Sequence, residues 1–153
     1  MIVGSDDGHM DECKELAIKL NIKDKVFFTG FIGGSDKNSA LVDADVVLQM
    51  SRQEQGAWAP LEGVLCGTPI IVTEDTGAGE DVKRIDAGET VKFGEVKTLS
   101  KQINSILENY DAAIDKTKKA KNFIMNKMSM NPRSHEYIDI YNEAINKKKV
   151  VID

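Results

Sequence analysis

Val46-Val47-Leu48-Gln49-Met50, followed by a polar turn, Pro60-Leu61-Glu62-Gly63-Val64-Leu65-Cys66, and then Gly67-Thr68-Pro69-Ile70-Ile71-Val72, is the stretch that decides how the rest of the chain is read. Val46 to Leu48 is apolar without alternation, as a strand buried on both faces should be. Pro60 suits the first turn of a helix, where backbone N–H groups have no intrahelical partner, and Gly67 suits its end. Pro69 to Val72 reads as a second buried strand. Strand, helix, strand at this spacing predicts a parallel pair joined by a crossover.

The same alternation extends outwards. Ile2-Val3-Gly4 is an apolar stub that resembles the end of a buried strand whose beginning is short or lies upstream. Cys13, Leu16, Ala17 and Leu20 keep helical spacing and predict a helix from about Met10 to Leu20. Val26-Phe27-Phe28 is a strand candidate closed by Gly30 and the turn Gly33-Gly34, and Ser35 opens a short helix through Val42. Thr76 to Asp81 reads as a loop leading into another helix, and Glu89 to Phe93 as a further strand. After Thr98 the spacing is wholly helical: Leu99 to Tyr110, Ala113 to Met128, and a last helix carrying Tyr137, Ile140, Tyr141, Ala144 and Ile145, set apart by Pro132. The expectation is an α/β chain with a Rossmann-like, doubly wound parallel sheet in three αβα layers and additional C-terminal helices. One domain is expected over residues 1–153, with 131–153 a terminal helix and tail.

Composition narrows the function classes. A net charge of −5 and a pI near 5.1 oppose a general nucleic-acid binder, which needs a basic face. No apolar run approaches the roughly 18 residues of a spanning helix, and no signal-peptide pattern opens the chain. Cys13 and Cys66 stand far apart in apolar helical contexts, so both are expected as buried, reduced thiols in a cytoplasmic protein. His9 and His135 have no partner at metal or triad spacing.

Glu54 and Glu62 carry the functional signal. They flank the Gly-containing turn and helix start that follow Val46–Met50. Unpaired N–H groups and the helix dipole make such a start an anion site, whereas two flanking carboxylates suit hydroxyls. An anion held between polyols describes a nucleotide-sugar.

The ordered set of these residues resembles the donor-binding, C-terminal domain of retaining, nucleotide-sugar-dependent glycosyltransferases of the GT-B fold, in the large family-four group. Ile2-Val3-Gly4, Val26 to Ile32, Ala44 to Ser51, the E-x7-E pair Glu54 and Glu62, Gly67-Thr68-Pro69-Ile70-Ile71, Glu80-Asp81-Val82 and Gly88 carry the likeness over nearly the whole chain. The resemblance implies that Glu54 binds donor-sugar hydroxyls near the reacting carbon and that Glu62 grips the ribose. It implies further that the N–H groups of Gly56, Ala57 and Trp58 face the diphosphate, and that Ile32 and Leu61 meet the base. It calls for no metal or cofactor. Asp43-Ala44-Asp45 has the D-x-D form of a metal motif but lies at a helix-to-strand join, where acidic residues are ordinary.

Two departures from the family pattern stand out. Gly56 and Ala57 replace an aromatic residue and a glycine, which sets a methyl group at an expected close approach. The strand and basic loop that would neutralise the diphosphate, and the N-terminal acceptor domain, would both precede Met1. The isolated chain is therefore expected to bind donor weakly and to be inactive, its partners being a nucleotide-sugar and the N-terminal domain of the same enzyme. The complete enzyme is expected to be able to work at a membrane surface. Two alternatives stay open: a non-catalytic nucleotide-binding or scaffold module, and a nucleotide-sugar epimerase on the same fold.

Overall fold

The computed structural model describes residues 1–149, and the chain falls into two compact units, residues 1–40 and residues 41 onwards. In the first unit, Ile2 and Phe28 form an isolated parallel bridge, held by Ile2 N–H to Phe27 C=O (2.7 Å) and Thr29 N–H to Ile2 C=O (3.1 Å). The two strands expected here are thus reduced to one bridge, past which Gly4 N–H reaches the carbonyl of the left-handed Gly30 (3.0 Å, φ 67°). Helix α1 spans Met10–Lys19 and buries only Ala17. Cys13 on α1 is exposed, which corrects the expectation of a buried thiol, and Cys66 is half-buried. Asp6 accepts the N–H groups of Gly8 (2.8 Å) and Met10 (3.2 Å), which hold its carboxyl below the ordinary range. Helix α2 (Gly34–Asp43) runs across the division at residue 40.

The second unit is built on a three-stranded parallel sheet in the order β1 (Val47–Gln49), β2 (Ile70–Thr73), β3 (Glu89–Val91). Register pairs Leu48 with Ile71 and Val72 with Thr90. Helix α3 (Ala59–Cys66) connects β1 to β2, and α4 (Gly77–Ile85) connects β2 to β3. All four residues of β2 are buried. Ile70 and Val72 face a cluster with Leu61 and Val64 of α3, Val82 of α4 and Ala120 of a later helix. Ile71 turns to the opposite cluster with Val91 and Ile106. The period-two alternation of β2 therefore splits the core into two layers, giving the αβα arrangement read from the sequence.

Pro60 occupies the first turn of α3 as expected, and Gly67 ends that helix in the left-handed region (φ 94°). Thr68 then anchors the turn through its hydroxyl to the Leu41 carbonyl (2.5 Å). The helical C-terminal part runs α5 (Val96–Glu108), α6 (Tyr110–Phe123), a π-helical turn (Ile124–Met128) and α7 (Met130–Lys149). Asn109 divides the expected Leu99–Tyr110 helix from the next one, its backbone and side-chain amides both donating to the Ser105 carbonyl. Pro132 was expected to separate the last two helices; it lies inside the first turn of α7, where its missing N–H costs no hydrogen bond, and the break falls at Ser129 (ψ 164°). Tyr137, Ile140, Tyr141 and Ile145 on α7 are exposed, so this helix does not bury the apolar face that its spacing suggested. Val150 to Asp153, the end of the expected tail, lie outside the described residues. No helix among the described residues is long and apolar enough to cross a membrane.

Lys116 ties α6 to the sheet through Glu89 (2.9 Å) and to Asp86 after α4 (3.0 Å). Burial disfavours its ammonium, but the hydrogen bonds to Glu89 and Asp86 outweigh that effect and hold its pKa above the ordinary 10.5. Two stability measurements follow from this packing. In urea unfolding, Ile70→Ala should lose about 3 kcal/mol, within the range for a fully buried branched side chain. Lys116→Met should lose about 1 kcal/mol at pH 7, discounted for the exposure of its partners. Because the folded-state pKa is raised, that contribution is complete below about pH 10.5 and is lost as pH climbs through the folded value, so the parent and variant should converge in alkaline solution.

Candidate functional site

In a parallel sheet the helices start at the carboxyl ends of the preceding strands, and ligands bind outside those ends. Here that edge carries the segment from Met50 to Trp58 after β1 and the turn from Glu74 to Thr76 after β2. Arg52, in the first of these, lies over the ring of Phe93 beyond β3 (5.0 Å to the ring centre), a cation–π contact that draws the β1 loop across the sheet. Sequence reasoning missed Arg52; its place two residues before Glu54 was the available signal.

Glu54 is half-buried and its carboxylate is turned onto α4. Its backbone carbonyl accepts from Gly77 N–H (3.0 Å), and its Oε2 accepts from Ala78 N–H (3.4 Å). Its Oε1 is shielded from solvent and meets no hydrogen-bond donor among the described residues. Thr76 completes this end of α4: its hydroxyl accepts from Gly79 N–H (3.0 Å) and donates to the Thr73 carbonyl (2.7 Å). The segment from Thr76 to Asp81, expected as a loop, is therefore an N-cap followed by helix. The two glycines that suggested a loop are instead positions of close backbone approach.

The start of α3 is different. Trp58 occupies its N-cap position and makes no side-chain cap hydrogen bond there. Glu62 sits half-buried in the first turn and donates its N–H to the Trp58 carbonyl (2.9 Å). Trp58 is 75% exposed, which excludes a core role. Neither Gly56 nor Ala57 adopts a left-handed backbone, so the methyl group of Ala57 meets no conformational penalty.

Glu54, Gly56, Ala57, Trp58 and Glu62 thus share one loop and one helix start. Leu61, expected to line the base pocket, is 7% exposed and packs with Val64, Ile70 and Val72 in the core. Ile32 lies in the first unit, half-buried and two residues after Gly30. Among the described residues no three His, Cys, Asp or Glu side chains are grouped to hold a metal ion.

The profile of the family described as glycosyl transferases group 1 matches residues 1–127. An uncharacterized glycosyltransferase of Methanocaldococcus jannaschii is 26% identical over 145 residues, which covers 95% of this chain and 37% of that protein. Among solved structures, HepE of Anabaena in complex with UDP superposes with a TM-score of 0.78 at 23% identity, covering 92% of this chain and 40% of that one. The C-terminal domain of a glycosyl transferase group 1 family protein from Francisella tularensis gives a TM-score of 0.67 at 18% identity, covering 82% of this chain and 67% of that domain. The chain thus spans well under half the length of the archaeal and Anabaena proteins. These likenesses bear out the fold and the family resemblance drawn from the sequence.

The cap of α4 can be tested without any ligand. Thr76→Ala should cost about 1 kcal/mol in urea unfolding, as loss of an N-cap hydroxyl does, whereas Thr76→Ser should restore most of it.

Proposed function

Because this chain belongs to the glycosyl transferases group 1 family, we propose that it is the donor-binding half of a retaining glycosyltransferase that moves a sugar from a nucleoside diphosphate sugar to an acceptor. The observation that carries this reading is the asymmetry of the two helix starts at one sheet edge. The N-cap residue of α3, Trp58, supplies no side-chain cap and the start is flanked by Glu54 and Glu62, while the start of α4 is met by Thr76 and by Glu54 itself.

A helix start whose N-cap residue offers no acceptor suits the diphosphate, with the N–H groups of Gly56, Ala57 and Trp58 turned to the leaving-group charge as it develops. Glu62 in the first turn of α3 takes the ribose hydroxyls. Glu54 takes the sugar: Ala78 N–H holds one carboxylate oxygen, and a hydroxyl placed beside Oε1 would satisfy the oxygen that has no donor. Ile32 keeps its base-contacting role on the family resemblance alone. HepE has been crystallised with UDP and with UDP-glucose, which makes these the first donors to try here. The chain by itself is expected to bind donor weakly and to transfer no sugar.

Trp58 is the chain's single tryptophan, so its fluorescence reports on the loop directly. Titration with UDP should change that emission, and a saturating nucleotide should raise the melting temperature by several degrees. Glu62→Ala should weaken UDP binding about tenfold or more with the far-UV circular dichroism unchanged. Equal binding by the variant and the parent would remove Glu62 from the ribose site. A parent unmoved by UDP, GDP, ADP, TDP or CMP, and by their sugars, would favour a scaffold module.

A further inference from the structure

Glu54 does not stand on its own loop. Its carbonyl and its Oε2 are held by two successive N–H groups of α4, those of Gly77 and Ala78. Thr76 takes the next N–H, that of Gly79, so the first turn of α4 divides its donors between its own cap and a carboxylate from another loop. The approach is close enough that a Cβ at Gly77 would overlap the carbonyl of Gln55. The side chain of Ala78 is buried, which leaves that turn little room to give way.

We infer that the first turn of α4, Thr76 to Gly79, is the positioning element for Glu54, with Gly77 as the residue that sets the distance. Holding one carboxylate oxygen on Ala78 N–H restricts the rotation of the group and leaves Oε1 as the oxygen without a donor among the described residues. A side chain at position 77 would push back the Glu54-Gln55 backbone and carry the carboxylate with it. The contact itself is independent of ligand. Its consequence, control of the sugar end of the donor and not of the nucleotide end, rests on the donor-site reading above.

Two measurements on the 153-residue chain test this and separate the inference from the reading beneath it. By amide hydrogen exchange, Glu54→Ala should speed exchange at Ala78 about tenfold while leaving Gly79, bonded to Thr76, within about twofold. Glu54→Gln keeps an acceptor and should restore most of the protection. Unchanged exchange at Ala78 in Glu54→Ala overturns the clamp, whatever the ligand does.

By NMR titration, Gly77→Ala should weaken UDP-glucose about tenfold while UDP stays within about threefold. Equal losses for both ligands, or none for UDP-glucose, overturn the positioning role. A parent that binds neither ligand counts against the donor-site reading and leaves the exchange experiment to decide the clamp. The same experiment decides it if Gly77→Ala fails to fold.

Discussion

Burial of β2 on both faces is the constraint on which the second unit depends. A four-residue strand with no solvent face must be flanked by strands and covered above and below. Ile70 and Val72 require α3, α4 and α6 on one side, and Ile71 requires α5 on the other. Thr73 and Thr76 then manage the polar atoms where the strand ends. The Thr73 hydroxyl reaches the Gln49 carbonyl (3.5 Å), and the Thr76 hydroxyl returns to the Thr73 carbonyl. The buried Thr73 and Thr76 hydroxyls are tolerated at that edge because each has a partner.

Those same requirements bring the candidate site together. Parallel connection obliges α3 and α4 to begin at one edge of the sheet, and each start leaves backbone donors to be satisfied. One set is met within the fold, by a threonine and a glutamate. The other begins at Trp58, which supplies no side-chain acceptor. The asymmetry between the two starts is thus one between their N-cap residues, Trp58 and Thr76.

What was legible in the sequence was what local chemistry dictates. Pro60 and Gly67 bracket α3 because proline tolerates a missing donor and glycine tolerates a left-handed end. The unbroken apolar runs at Val46–Leu48 and Ile70–Val72 mark strands, and Glu54 and Glu62 could be picked out by spacing. What was illegible depended on distant neighbours. Gly77 and Gly79 resemble a loop until the backbones of Gln55, Thr73 and Glu74 are seen against them. Pro132 has the form of a helix breaker, yet a first turn accepts it. Leu61 adjoins Glu62 in sequence but lies on the face of α3 that turns inward. No pattern in a single strand of residues shows that the Glu54 carboxylate reaches across to another helix.

That reach also bears on mistaken binding. Two positive helix ends at one sheet edge would offer a doubly charged ligand two berths, and occupancy of the wrong one would shift its whole length out of register. By stationing its own carboxylate at α4, the protein makes that end repel anions. On the proposed donor-site reading, phosphate would be left one attractive berth, and orientation would be settled before any hydroxyl is recognised.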